Sequence, residues 1–316
     1  MAGFMSQTCA LRVFAIPDLG AVSDDQVRKF AFSQTQELSD SDALEGAVRQ
    51  GWVGLGEADD VGFTTPITVD GRFMAFSLRT DSKKANGKAV KLRLAERIRQ
   101  EGQAVSRERK KELKEIVTLA ELKNASWTPS LTDCILDLDA KRLYVSTVSD
   151  SACEAVLTFF SQTFGAGAEE ILAGDIHGRF EEAWRRSVTL DDDTSVYADG
   201  CHVELFGEGT GADGEVANSR VRVENNNQAV EAGLADGLKI GIIALEAATS
   251  EETDGDCVGQ SFKFTMTGAL TFPKVYLPKP EKGEGDSKEM ELEATLILHA
   301  STLAAVADIG IRFAGA

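Results

Sequence analysis

From residue 72 to residue 79 the chain alternates Phe73, Ala75 and Ser77 on one side of an extended backbone with Met74, Phe76 and Leu78 on the other. Neither set is charged, so the strand needs cover on one face or on both. Such a strand must sit in a packed layer, and the surrounding stretches show what supplies it.

Residues 11–16 predict a strand that Pro17 ends, and residues 24–32 a helix that Ser23 or Asp24 would cap. After the turn-prone Ala85-Asn86-Gly87 come two helical stretches, 88–104 and 107–123, with Ser106 as the cap between them. Residues 132–138 and 142–146 read as a hairpin turning through Asp139-Ala140-Lys141, and residues 151–164 as a helix that Gly165 ends. The second half reads as a helix at 180–186, strands at 196–206 and 221–224, a helix at 229–235, and strands at 239–245 and 261–271. Pro273, Pro278 and Pro280 lead into an acidic loop, and an apolar helix follows at 290–307. No repeat period runs through the chain. The expected class is α+β, mixed sheets with packed helices. The expected division is 1–165, with a basic helical arm at 83–123 and a gate segment at 123–130, and 166–316, with the acidic loop at 279–290.

Charge constrains partners more than fold. The 316 residues are 43% apolar, enough for a sizeable core, and carry a formal net charge of −18. Residues 79–123 hold 14 Lys/Arg against 7 Asp/Glu, while the rest hold 19 against 44. A phosphate backbone is recognised through cations, so the basic segment is the candidate contact with double-stranded DNA. Its candidate residues are Lys83, Lys84, Lys88, Lys91, Arg93, Arg107, Arg109, Lys110 and Lys111. On the first helix, Lys88, Lys91 and Arg99 fall to one side, beside a stripe of Val90, Leu94 and Ile98. Five scattered cysteines without a CxxC pair fit a reducing cytoplasm. The first residues lack a basic and then apolar leader, so the chain is expected to start near Met1. Glu293, His299 and Asp308 interrupt the last apolar run, and no membrane span is expected.

Catalytic strings are sparse. Gly174-Asp175-Ile176-His177-Gly178 is similar to the first metal motif of calcineurin-like phosphoesterases, but the companion elements of a two-metal site are missing. Gly255-Asp256-Cys257-Val258-Gly259 lacks the closing acid, no Asn-His pair occurs, and only His202 and His299 remain. Asp137-Leu138-Asp139 and Asp191-Asp192-Asp193 read as solvated turns, and residues 174–178 as a loop before a helix. No GxSxG elbow, cysteine-histidine pair or GxxxxGK[ST] loop is present. The chain is therefore expected to be no enzyme and to need no metal or cofactor. A metallophosphoesterase using Asp175 and His177 is the lesser alternative.

Several strings together resemble the recombination-associated RdgC family. They are Gln50-Gly51-Trp52-Val53-Gly54, residues 71–79, the basic helices ending in Lys110-Lys111-Glu112-Leu113-Lys114-Glu115, and Cys134-Ile135-Leu136-Asp137-Leu138-Asp139 running into Leu143-Tyr144-Val145. The helix at 149–165, Phe180 with Trp184, and residues 230–239 extend the resemblance over roughly 45–280. It implies a protomer of several substructures whose two copies join into a ring, with duplex DNA passing through without sequence reading. It also implies antagonism of a recombinase filament, cytoplasmic and at the nucleoid. By ungapped matching the family's Arg-Ala-Phe gate falls on Asn124, Ala125 and Ser126, so its arginine and aromatic are absent, and Trp127 sits one place on. Trp127 is expected to pack the gate or serve as its wedge or anchor. An acidic chain that binds or inhibits a DNA-processing enzyme is the alternative reading.

Overall fold

The computed structural model describes residues 3–33, 48–102, 105–172, 174, 176–189, 196–210, 216–224, 226–253, 256–280 and 287–315. They form an α+β fold with a large antiparallel sheet and seven helices among the described residues. In chain order the elements are β1 (Thr8–Ala15), α1 (Asp24–Lys29), β2 (Val48–Val53), β3 (Thr68–Val69), β4 (Phe73–Ser82), α2 (Gly87–Glu101), α3 (Arg107–Asn124), β5 (Thr128–Asp137), β6 (Arg142–Val145) and α4 (Asp150–Phe164). There follow β7 (Glu169–Glu170), α5 (Ile176–Thr189), β8 (Val196–Thr210), β9 (Val216–Val223), α6 (Asn227–Ala235), β10 (Lys239–Thr253), β11 (Asp256–Thr267), β12 (Thr271–Tyr276) and α7 (Lys288–Ala314).

The chain divides into two compact units. The larger takes Met1–Val22, Thr65–Ala75 and Thr132–Ala316, and the smaller Ser23–Thr64 and Phe76–Leu131. These groupings differ from the halves 1–165 and 166–316, because antiparallel pairing of β1 with β12 brings the first strand to the last. In the larger unit the strand order is β5-β6-β1-β12-β11-β10-β8-β9. Helix α5 packs on β8 and β10, α6 on β8, and α7 on β11. Helix α7 is long and apolar enough by length and composition to cross a bilayer, yet it buries Leu296, Ala300, Leu303, Val306 and Ile309 as a core helix does. Burying each of these Leu, Val and Ile side chains stabilises by about 1.5–3 kcal/mol.

The expected single strand at 261–271 is two strands, β11 and β12. A tight turn separates them, with the Leu270 N–H donating to the Thr267 carbonyl at 3.2 Å and Leu270 at φ 51°. Pro273, expected to open a loop, lies inside β12. Between the pairs Cys9↔Val275 and Leu11↔Phe272 the register shifts, so Pro273 falls where the ladder is already broken and no N–H is missed. Helix α5 begins before residue 180, α7 runs on to Ala314, and α1 stops at Lys29 because Phe30 and Phe32 turn to pair with Trp52. Most of the acidic loop expected at 279–290 lies outside the described residues.

In the smaller unit β2 pairs with β4, from Val48↔Ser82 to Val53↔Ser77. All residues of β4 from Phe73 to Arg79 are buried, so both of its faces are covered. Trp52 and Phe76 meet edge to face at 4.7 Å. Gly51 is required by close approach: a β-carbon there would lie 2.2 Å from Phe32 Cα and 2.5 Å from its amide nitrogen. Alanine in a strand ordinarily gains about 0.5–1 kcal/mol over glycine. Overpacking against backbone that cannot rotate away costs about 1–3 kcal/mol and wins. Gly51→Ala should thus lower the urea midpoint of unfolding, and an unchanged or higher midpoint would contradict the packing described.

Candidate nucleic-acid interface

Helices α2 and α3 form a hairpin whose ends are set by local chemistry. The Asn86 side chain accepts from the amides of Lys88 at 3.0 Å and Ala89 at 3.4 Å, and Gly102 closes α2 in the left-handed conformation at φ 66°. Ser106 Oγ accepts from the Arg109 amide at 3.2 Å and starts α3. Val90 on α2 and Leu113, Val117 and Leu122 on α3 are buried, with Leu94 and Ile98 half-buried beside them. Ion pairs Arg93–Glu121 at 2.5 Å and Arg109–Glu101 at 2.8 Å link the helices, and their crossed numbering shows them antiparallel.

The nine candidate cations therefore split. Lys84, Lys88, Lys91, Arg107, Lys110 and Lys111 are exposed, and among the described residues no acid pairs with Lys88, Lys91, Lys110 or Lys111. Arg93 is held by Glu121, and Arg109 by Glu101 and by Glu112 at 2.9 Å. The hydrogen bonds to Glu101 and then Glu112 raise the Arg109 pKa further and fix its charge in place. Lys83 is half-buried and lies over the Trp127 indole, its ammonium 5.1 Å from the ring centroid. Arg99 and Lys114, also exposed, extend the cationic faces.

The gate segment is the junction of α3 and β5. Asn124 ends α3, and the Ala125 N–H donates to the Leu122 carbonyl at 3.2 Å as its cap. Exposed Ser126 precedes Trp127, which packs within its own unit, with the Arg49 guanidinium 4.2 Å from the ring centroid. Exposed Pro129 lies in β5, and Ser130 Oγ donates to the Thr80 carbonyl at 3.1 Å. No periodicity in the sequence singles out Arg49. Its role depends on the pairing of β2 with β4, a contact between distant segments.

The catalytic candidates do not converge. Asp175 and Asp191 to Asp193 lie outside the described residues. His177, expected in a loop, is in the first turn of α5, with Nδ1 2.9 Å from the Ile240 carbonyl and its ring against Phe206. His202 Nδ1 lies 3.4 Å from Arg222, and His299 is buried with its nitrogens 2.8 and 2.9 Å from the carbonyls of Phe4 and Pro278. Asp137 is not the solvated turn residue expected. It is fully buried and accepts from Arg72 and from the amides of Asp139 and Ala140, whereas Asp139 is exposed. Burial pushes the Cys9 thiol up to about 12 and raises that of Cys153, so neither is a ready nucleophile. Among the described residues no group of three or more His, Cys, Asp or Glu is placed to hold a metal ion.

Residues 27–173 match the family model described as "Putative exonuclease, RdgC". Over this segment, a little under half of the chain, the sequence is similar to the RdgC family. The RdgC match takes in the whole α2–α3 hairpin, the gate junction and Asp137, whereas Phe180, Trp184 and residues 230–239 lie beyond it. No curated protein matches the chain.

Proposed function

We propose that the chain is a non-sequence-specific double-stranded DNA-binding protein whose two copies close into a ring around duplex DNA and limit recombinase filament access. The match of residues 27–173 to the RdgC family model supports a recombination-associated, DNA-binding role. The finer reading is carried by Lys88 and Lys91 of α2 and Lys110 and Lys111 of α3, which are exposed, have no acid partner among the described residues and stand ready to exchange counterions for phosphates. In this reading the protein works at the nucleoid in the cytoplasm and needs no cofactor. The same reading makes it no nuclease; among the described residues, Asp137 and the three histidines are engaged with guanidinium, amide and carbonyl groups instead of facing one another. A basic protein partner is the second reading, favoured by the 35 Asp/Glu against 16 Lys/Arg of the larger unit.

Titration of labelled duplexes of two unrelated sequences at about 50 and about 200 mM salt should give equal affinities that fall steeply, by roughly three decades or more for six or more phosphate contacts. Light scattering on the same samples should give twice the chain mass of 33.9 kDa. A monomer with no duplex binding at low salt would reject the ring and favour the basic protein partner.

A further inference from the structure

In the larger unit a half-open cavity of about 440 Å³ lies where β11, the end of β12 and α7 meet. Its walls are apolar: Phe262 and Leu277, each 6% exposed, with Pro278 and Leu298. Thr302 in the α7 wall donates from Oγ1 to the Leu298 carbonyl at 2.8 Å, and the Pro278 carbonyl lies 2.9 Å from His299 Nε2. Nothing in these walls calls for an ordered water, so the space suits an apolar body. The rim is polar and has two sides. On one, Ser261 and Lys263 are both engaged with Glu246, at 2.7 and 3.0 Å. On the other stands Tyr276, 46% exposed, with the Lys274 ammonium 4.4 Å from its ring centroid. Among the described residues the Tyr276 hydroxyl has no hydrogen-bond partner and Lys274 no acid partner.

We propose that this cavity binds a small aromatic acid, its rings among Phe262, Pro278 and Leu298 and its carboxylate at Tyr276 and Lys274. The inference stands apart from the DNA-binding reading, since none of these residues belongs to the α2–α3 hairpin. The volume falls within the roughly 300–1,000 Å³ of small-molecule sites, which bury an apolar body and orient it through a few polar groups. Phe262, Pro278 and the Tyr276 ring offer flat surfaces on which an aromatic ring stacks. The rim selects the charge of the ligand. A carboxylate accepts from the Tyr276 hydroxyl and meets an ammonium with no acid to give up, whereas a cation would meet Lys274 and Lys263 together. Lys274 and Tyr276 are two apart on one face of β12, so the strand itself holds hydroxyl and ammonium side by side.

Calorimetric titration of the full chain with 2-naphthoate should show a single site per chain, and 2-naphthalenemethanol, with the same rings and no charge, should bind at least about tenfold more weakly. Tyr276→Phe, which changes no charge, should weaken naphthoate by about tenfold, and Lys274→Gln by roughly two- to fivefold. Both side chains are at the surface, so these variants should keep the parental unfolding midpoint. Leu298→Trp should fill the cavity and abolish binding of both probes; should it fail to fold, the two rim variants decide. Naphthoate that binds Tyr276→Phe and Lys274→Gln with parental affinity is held elsewhere by charge alone, and overturns the site. Equal binding of acid and alcohol, binding that survives in a folded Leu298→Trp chain, or no binding of naphthoate up to its solubility limit overturns it as well.

Discussion

Replacing Lys88, Lys91, Lys110 and Lys111 together by glutamate should lower duplex affinity by about a thousandfold or more at about 0.1 M salt. Each lost phosphate contact removes about 0.9 from the slope of log affinity against log salt, so four remove roughly 3.6, and at that salt the same number is the loss in decades. Reversal adds repulsion to this loss. The four side chains are exposed on the α2–α3 hairpin and have no acid partner among the described residues, so the unfolding midpoint should hardly move. Arg93→Gln and Arg109→Gln offer the contrast. Their charges are committed to Glu121 and to Glu101 and Glu112, and each should cost less affinity than an exposed lysine. Fluorescence anisotropy with a labelled duplex decides the matter, and a fourfold-reversed chain of parental affinity would remove this hairpin from the DNA interface.

The contrast shows which parts of the site were legible in the sequence. Some helix ends were, because they depend on neighbours within a turn: Ser106 caps α3, and Gly165 in the left-handed conformation ends α4, whereas Asn86, read only as a turn residue, proves to cap α2. The cationic faces were legible too, since a period of 3.6 separates Lys88 and Arg99 from Val90 and Ile98. What the cations touch was not. Arg93 and Glu121 are 28 positions apart, Arg49 and Trp127 are 78 apart, and only the tertiary fold brings them together. The same holds for the sheet. Pro273 argues against a strand in any local reading, and it is tolerated in β12 because β1, more than 250 residues away, is irregular opposite it. Asp137 follows this pattern, since nothing in Asp-Leu-Asp tells a solvated turn from a buried hub.

Asp137→Asn should lower thermal stability more than any surface change in the larger unit. Asp137 is fully buried, and its carboxylate accepts from Arg72 at 2.7 and 3.2 Å, from the amides of Asp139 and Ala140 at 3.1 and 3.0 Å, and from the Tyr144 hydroxyl at 3.4 Å. Removing one partner of a fully buried pair costs about 3–5 kcal/mol. Here Arg72 keeps 38% exposure and can turn to water, so about 2–3 kcal/mol is expected. In a chain of this size that is a fall of roughly 4–10 °C in melting temperature. The pH dependence carries a second signature. Burial alone would push the Asp137 pKa up, but the hydrogen bond from Arg72, the Ala140 amide, the charge of Arg72 and the Asp139 amide outweigh it and hold the group below 3.8. A depressed folded pKa stabilises above the unfolded value of about 3.9, and the stabilisation is lost as pH falls through the folded one. The parent should therefore lose stability below about pH 4 in a step that Asp137→Asn lacks. Melting curves that coincide at neutral pH, or an acid step of equal size in both proteins, would show that Asp137 does not anchor the β5–β6 hairpin.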